Sequence, residues 1–147
     1  MKDFFCTLLS KDNFCPILGV TGGFIASLFG GWSSGMITLL IFMCVDYVSG
    51  LMVAGIFKNS HKTDSGALES RAGWKGLCRK GMTLFIVLLA HRLDLLMGMN
   101  YIRDAVIIGF CANEAISIVE NAGLMGIPLP EVITKAIDIL TKKSKGD

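Results

Sequence analysis

Of the 147 residues, 52% are apolar before the 17 glycines are counted, and only 18% are charged; a soluble domain reaches roughly 45–50% apolar with glycine included and carries about 25% charge. A mean hydropathy of +0.60 argues against a soluble enzyme, because there is too little polar surface to cover a compact globule. The net charge of +2 makes no case for nucleic acid, and the five cysteines lie singly along the chain, with no pattern suited to a disulfide framework or a zinc site.

Residues 1–13 read as an N-terminal arm retained in the cytoplasm, since Lys11 and Asp12 interrupt its apolar run and no cleavage site of a signal peptide follows. Residues 14–57 form a Gly-rich hairpin of two membrane segments, Phe14 to Trp32 and Met36 to Phe57, joined by a short Gly31–Gly35 turn. Residues 58–80 form a basic loop carrying Lys58, Lys62, Arg71, Lys75, Arg79 and Lys80. Residues 81–125 hold a second hairpin, Gly81 to about Gly98 and Asp104 to about Met125. At 1.5 Å per residue each segment reaches across a hydrocarbon core of about 30 Å.

If all four segments span, the N-terminus, the basic loop and the tail share one side, which then holds twelve of the 14 Lys and Arg. The positive-inside rule makes that side the cytoplasm. In residues 126–147 the Gly126–Pro130 stretch ends the fourth segment. Val132, Ile133, Ala136, Ile137 and Leu140 then make the apolar stripe of a short amphipathic helix, which lies on the membrane surface or against another subunit. The expected fold is therefore an all-α integral membrane protein with about four transmembrane helices and a short C-terminal amphipathic helix.

Several residues are costly in lipid. Asp46 falls near the middle of the second segment, where an acid costs about 2.5–3.5 kcal/mol and requires a partner or water. In the fourth segment Asn113, Glu114, Ser117, Glu120 and Asn121 share an arc of about 120° at about 100° per residue. This stripe either glues one monomer together or contacts other subunits or water. In the first segment, Gly19, Gly23, Ser27 and Gly31, beside Gly22, Ala26 and Gly30, form two small-residue rows suited to close helix packing within or between chains. Arg79 and Lys80 precede the third segment, and His91, Arg92 and Asp94 close it. All five read as interface anchors, with His91 and Asp94 able to meet at i, i+3. No catalytic, cofactor or metal motif is found.

Three stretches together resemble the phage-lysis and toxin-secretion holin family, which includes the holins of clostridial toxin loci. They are Asp46-Tyr47-Val48-Ser49-Gly50-Leu51, the Ser70–Leu77 run SRAGWKGL followed by Arg79-Lys80, and Asn113-Glu114-x-x-Ser117-x-x-Glu120-Asn121 ahead of Gly126-x-Pro128-x-Pro130. The resemblance covers about Met36 to Leu140; the first segment matches only in being hydrophobic. It implies a non-enzymatic phage or prophage protein of the host's cytoplasmic membrane. Such a protein would assemble with itself into lesions at a set time and release an endolysin or a toxin without stable binding to it. An antiholin is a further partner in this picture. Two other functions remain open on sequence: a small ion channel or transporter, and a regulatory membrane subunit such as an antiholin.

Overall fold

The computed structural model describes residues 11–58, 60, 69–133, 135 and 139, and among them every regular element is helical. Helix α1 spans Lys11–Leu28. It stops where Gly30 and Gly31 take left-handed φ values of +80° and +90°, a conformation open to glycine at little cost. Ser33 then caps the next helix, its Oγ accepting from Met36 N at 3.2 Å, which satisfies one of the donors left free in a first helical turn. Helix α2 runs Ser34–Met52 and continues as one π-helical turn, Val53–Phe57. Lys58, in the left-handed region at φ 50°, closes that turn through its N–H to Val53 O.

Helix α3, Ser70–Met97, starts well before Gly81, so the second half of the basic stretch is helical and not loop. Arg71, Lys75 and Arg79 follow one another at i, i+4 on this front section, and that spacing is compatible with a continuous helix. Gly98, at φ +65°, ends α3. Helix α4, Ile102–Leu124, ends at a turn in which Gly126 has φ +81°. Glu131–Ile133 resume helical backbone. Most of the expected amphipathic tail helix, like residues 1–10 of the N-terminal arm, lies outside the described residues.

α2, α3 and α4 meet around a small core of Met36, Leu39, Met43, Val87 and Ile107, flanked by Phe29, Leu84 and Phe110. α1 sits at the margin: Ala26 is buried, but Val20, Phe24 and Ile25 are exposed. Among the described residues, exposed large apolar side chains outnumber buried ones, with Phe24, Ile41, Ile56, Phe85, Leu96 and Ile108 all more than half exposed. A soluble monomer rarely presents so many large apolar side chains to water; lipid, or other copies within lipid, suits them.

Among the described residues, only the Ser34–Phe57 stretch of 24 residues is long and apolar enough to cross a membrane by length and composition alone. Gly19–Leu28 is apolar but shorter. α3 carries Arg71, Lys75, Arg79 and Lys80 in its first section and Arg92 and Asp94 near its end, and α4 carries Arg103, Asp104, Glu114 and Glu120.

Candidate functional site

The costly residues of three helices converge on one cation. Asp46 projects from α2, Glu114 from α4 and Lys80 from α3. Lys80 Nζ donates to Asp46 Oδ2 at 2.8 Å and also pairs with Glu114 Oε2. The three side chains are only 13%, 10% and 8% exposed respectively. One ammonium serving two carboxylates leaves the cluster with a net negative charge when all three are ionised. Such a group is stable away from water only if its remaining lone pairs find donors.

Asn121, two turns beyond Glu114 on α4, supplies one. Its Nδ2 donates to Asp46 Oδ1 at 3.1 Å and to Ser49 Oγ at 2.9 Å. The Ser49 hydroxyl in turn donates to Asp46 O at 3.0 Å. Among the described residues no buried side-chain nitrogen or oxygen lacks a hydrogen-bond partner.

The polar stripe of α4 is thus divided. Glu114 and Asn121 are buried, whereas Asn113 and Glu120 are exposed and Ser117 is half-buried. The open half borders a cleft of about 880 Å³ between α2, α3 and α4. Lys80 was expected at the membrane interface with Arg79; Arg79 is exposed, but Lys80 turns inward to the two acids.

A second polar cluster stands at the α3–α4 turn. Asp94 does not turn to His91: its Oδ1 and Oδ2 accept from the backbone N–H groups of Ile102 and Arg103 at 3.0 and 2.9 Å, capping α4. Arg103 Nη1 donates to Phe29 O at 3.2 Å and Gly30 O at 2.9 Å, while Nε and Nη2 hold Asp104 Oδ1. A side chain on Gly30 would collide with the Arg103 guanidinium and the His91 ring, so only glycine allows this approach. Arg92 remains exposed.

Of the small-residue rows, Gly19, Gly22 and Gly23 lie on α1 with open space where a Cβ would stand, whereas Gly30 and Gly31 fall beyond its end at Leu28, in the left-handed turn, and not on the helical face expected of them. Ala26 is buried and Ser27 folds back on Phe24 O at 2.7 Å. Arg103, Ser49 and the inward role of Lys80 were not visible from sequence spacing. The available signal was only that Asp46 and Glu114 require a base at their depth; spacing did not single out Lys80 from Arg79 or Arg92.

A family model described as the bacteriophage holin family matches residues 23–142. An uncharacterized protein of Listeria monocytogenes is 40% identical over 89% of this chain and 88% of its own length. An uncharacterized protein of Listeria innocua is 40% identical over 87% and 86%. A protein of Bacillus phage phi105 named "Probable holin" is 30% identical over 69% of this chain and 70% of its own. No solved structure matches.

Proposed function

The chain belongs to the bacteriophage holin family, and on that footing we propose that it oligomerises in the cytoplasmic membrane of a bacterial host and forms lesions there at a timed point. Through these an endolysin, or a toxin, leaves the cell without binding the protein stably; an antiholin acting on the assembly is compatible with the same scheme. In the proposed topology all four helices cross the membrane and both termini are cytoplasmic.

The observation that carries this proposal is the division of the polar stripe. Within one copy, Lys80 and Asn121 satisfy Asp46 and Glu114, so the most expensive groups are hidden. Asn113, Ser117 and Glu120 are not enclosed in the same way and border the open cleft. Polar groups at that depth favour a second helix or water over lipid tails. Small assemblies meet the need with helices from other copies, and larger ones meet it with a water-filled opening. The open glycine face of α1 gives those copies a surface for close backbone approach.

Inducible expression in a bacterium tests this. Growth should continue and then stop abruptly with collapse of membrane potential, and cells should lyse only when an endolysin is present. Replacing Asn113 and Glu114 together by Ala should shift that moment. A doubly substituted protein that lyses cells on the unaltered schedule would sink the role given to the stripe. Leakage from the first minutes of induction would point instead to a constitutive channel.

A further inference from the structure

The cluster that joins α2, α3 and α4 brings a primary amine against two carboxyl groups. Lys80 Nζ lies 2.8 Å from Asp46 Oδ2 and also pairs with Glu114 Oε2, so the amine is in contact with the Asp46 carbon that bears Oδ2. The two acids are not equivalent. Asp46 Oδ1 accepts from Asn121 Nδ2 at 3.1 Å, which sets an amide N–H where negative charge would gather if Asp46 Cγ became tetrahedral. Glu114 meets the ammonium itself, so its carboxylate is placed to take up and return the protons of that nitrogen.

The surroundings favour loss of charge. All three side chains are close to fully buried, and an ion pair held away from water carries a desolvation cost that an amide does not. Asp46 also stands midway along the Ser34–Phe57 stretch, the part of the chain best suited to lie in lipid, where ionised groups are most costly.

We propose that Lys80 and Asp46 condense to an isopeptide bond, with Glu114 carrying the protons. An Nζ proton passes by way of Glu114 to Asp46 Oδ2, leaving a neutral amine beside a neutral carboxyl group. The Nζ lone pair then bonds to Asp46 Cγ, and the displaced C=O electron pair rests on Oδ1, held by Asn121. Glu114 takes a second proton from Nζ and delivers it to the Oδ2 hydroxyl. The carbonyl re-forms as the Cγ–Oδ2 bond breaks, and one water departs into the cleft that all three residues border. An ammonium and a carboxylate have become a secondary amide and one water, Glu114 ends as the carboxylate it began, and no oxidant or cofactor is consumed.

Holding amine and acid in contact replaces a bimolecular encounter, an advantage that reaches effective concentrations of about 10⁵–10⁸ M in well-oriented pairs. The chain folds with the ionic cluster and the amide follows within it, tying α2 to α3 and closing residues 46–80 into a ring. The inference needs the folded bundle and not the lesion, so it stands or falls whether or not the chain lyses cells.

The intact mass of the full chain, purified in detergent and held until the mass stops changing, reads the bond directly. The wild-type chain should be lighter by one water than its processed sequence requires, and chymotryptic digestion should release a branched peptide joining Asp46 to Lys80. Lys80→Arg keeps the cation but lacks the amine nucleophile, and should retain the full mass. Glu114→Gln keeps both reacting groups and removes the proton carrier; it should form the branched peptide at least about a hundredfold more slowly, the usual contribution of a positioned acid–base group.

A wild-type chain of full mass overturns the proposal, and because that measurement needs no variant, a substitution that fails to fold does not blunt it. A water lost within a linear peptide, as in a succinimide at Asp46, overturns it too, as does a loss that persists in Lys80→Arg. A branch at Glu114 in place of Asp46, or bond formation at the wild-type rate in Glu114→Gln, overturns the roles given to the two acids.

Discussion

The two polar clusters solve the same problem in different ways. At one, the Lys80 ammonium is shared by the Asp46 and Glu114 carboxylates, through side chains borne on three helices. At the other, Asp94 and Arg103 meet backbone groups, the carboxylate at the start of α4 and the guanidinium at the carbonyls that end α1. The difference lies in what removal leaves behind. Removing the Asp94 carboxylate leaves only uncharged backbone N–H groups unmet, whereas removing the Lys80 ammonium strands two carboxylates within the bundle. The first cluster is therefore a point of high cost and high leverage, and the second a set of replaceable clasps.

The contrast is sharpest at Lys80. Lys80→Met should destabilise the bundle by about 3–5 kcal/mol, because breaking a buried pair strands the partner charges. Unfolding in mixed micelles, followed by helicity, measures this. Adding Asp46→Asn and Glu114→Gln to the same chain should return most of the loss, since replacing all members of a buried ionic group together is often neutral. If the triple variant were no better than Lys80→Met, the cluster would matter through shape and not through charge.

Arg103→Gln should cost less, about 1.5–3 kcal/mol for a charged hydrogen bond, and its effect should be local. Spin labels on α1 should gain mobility while those on α2 and α4 do not. An equal gain on all three helices would erase the distinction between clasp and keystone. Asp94→Ala should cost about 0.5–2 kcal/mol as a lost cap, and Asp94→Asn should recover only part of it, because its single amide oxygen can accept from one of the two N–H groups while its NH2 faces the other. The smallest effect belongs to Lys135→Ala, which removes the exposed i, i+4 pair with Glu131. About 0.3–0.5 kcal/mol is expected there, close to the resolution of the same titration.

How far the sequence carried depended on whether a property was local. The Gly126–Pro130 stop and the grouping of Glu114 with Asn121 follow from composition and helical period, and α2 and α4 fall close to where apolar runs placed them; α1 instead ends at Leu28, because Gly30 and Gly31, expected on the helix, take left-handed φ values. α3 began earlier than expected because charge suggested loop, although Ser70–Lys80 has no strong breaker other than glycine. The pairing of Lys80 with Asp46 and Glu114 was beyond reach. It joins residues 34 positions apart in each direction, and helical period says nothing about which faces of different helices meet. Arg103 was hidden for the same reason, since its acceptors are backbone carbonyls 73 and 74 residues away.

The π-helical turn at Val53–Phe57 bears on how insertions and deletions should be tolerated along this helix. It already accommodates one residue more per turn than an α-helix does, so deleting a single residue there lets the backbone relax to ordinary winding while everything upstream keeps its orientation. The same deletion between Met43 and Asp46 would swing one half of the helix by about 100° against the other, turning either Asp46 or the core residues Met36 and Leu39 away from their partners. Length variation among related chains should accordingly collect after Met52 and be absent before Ser49.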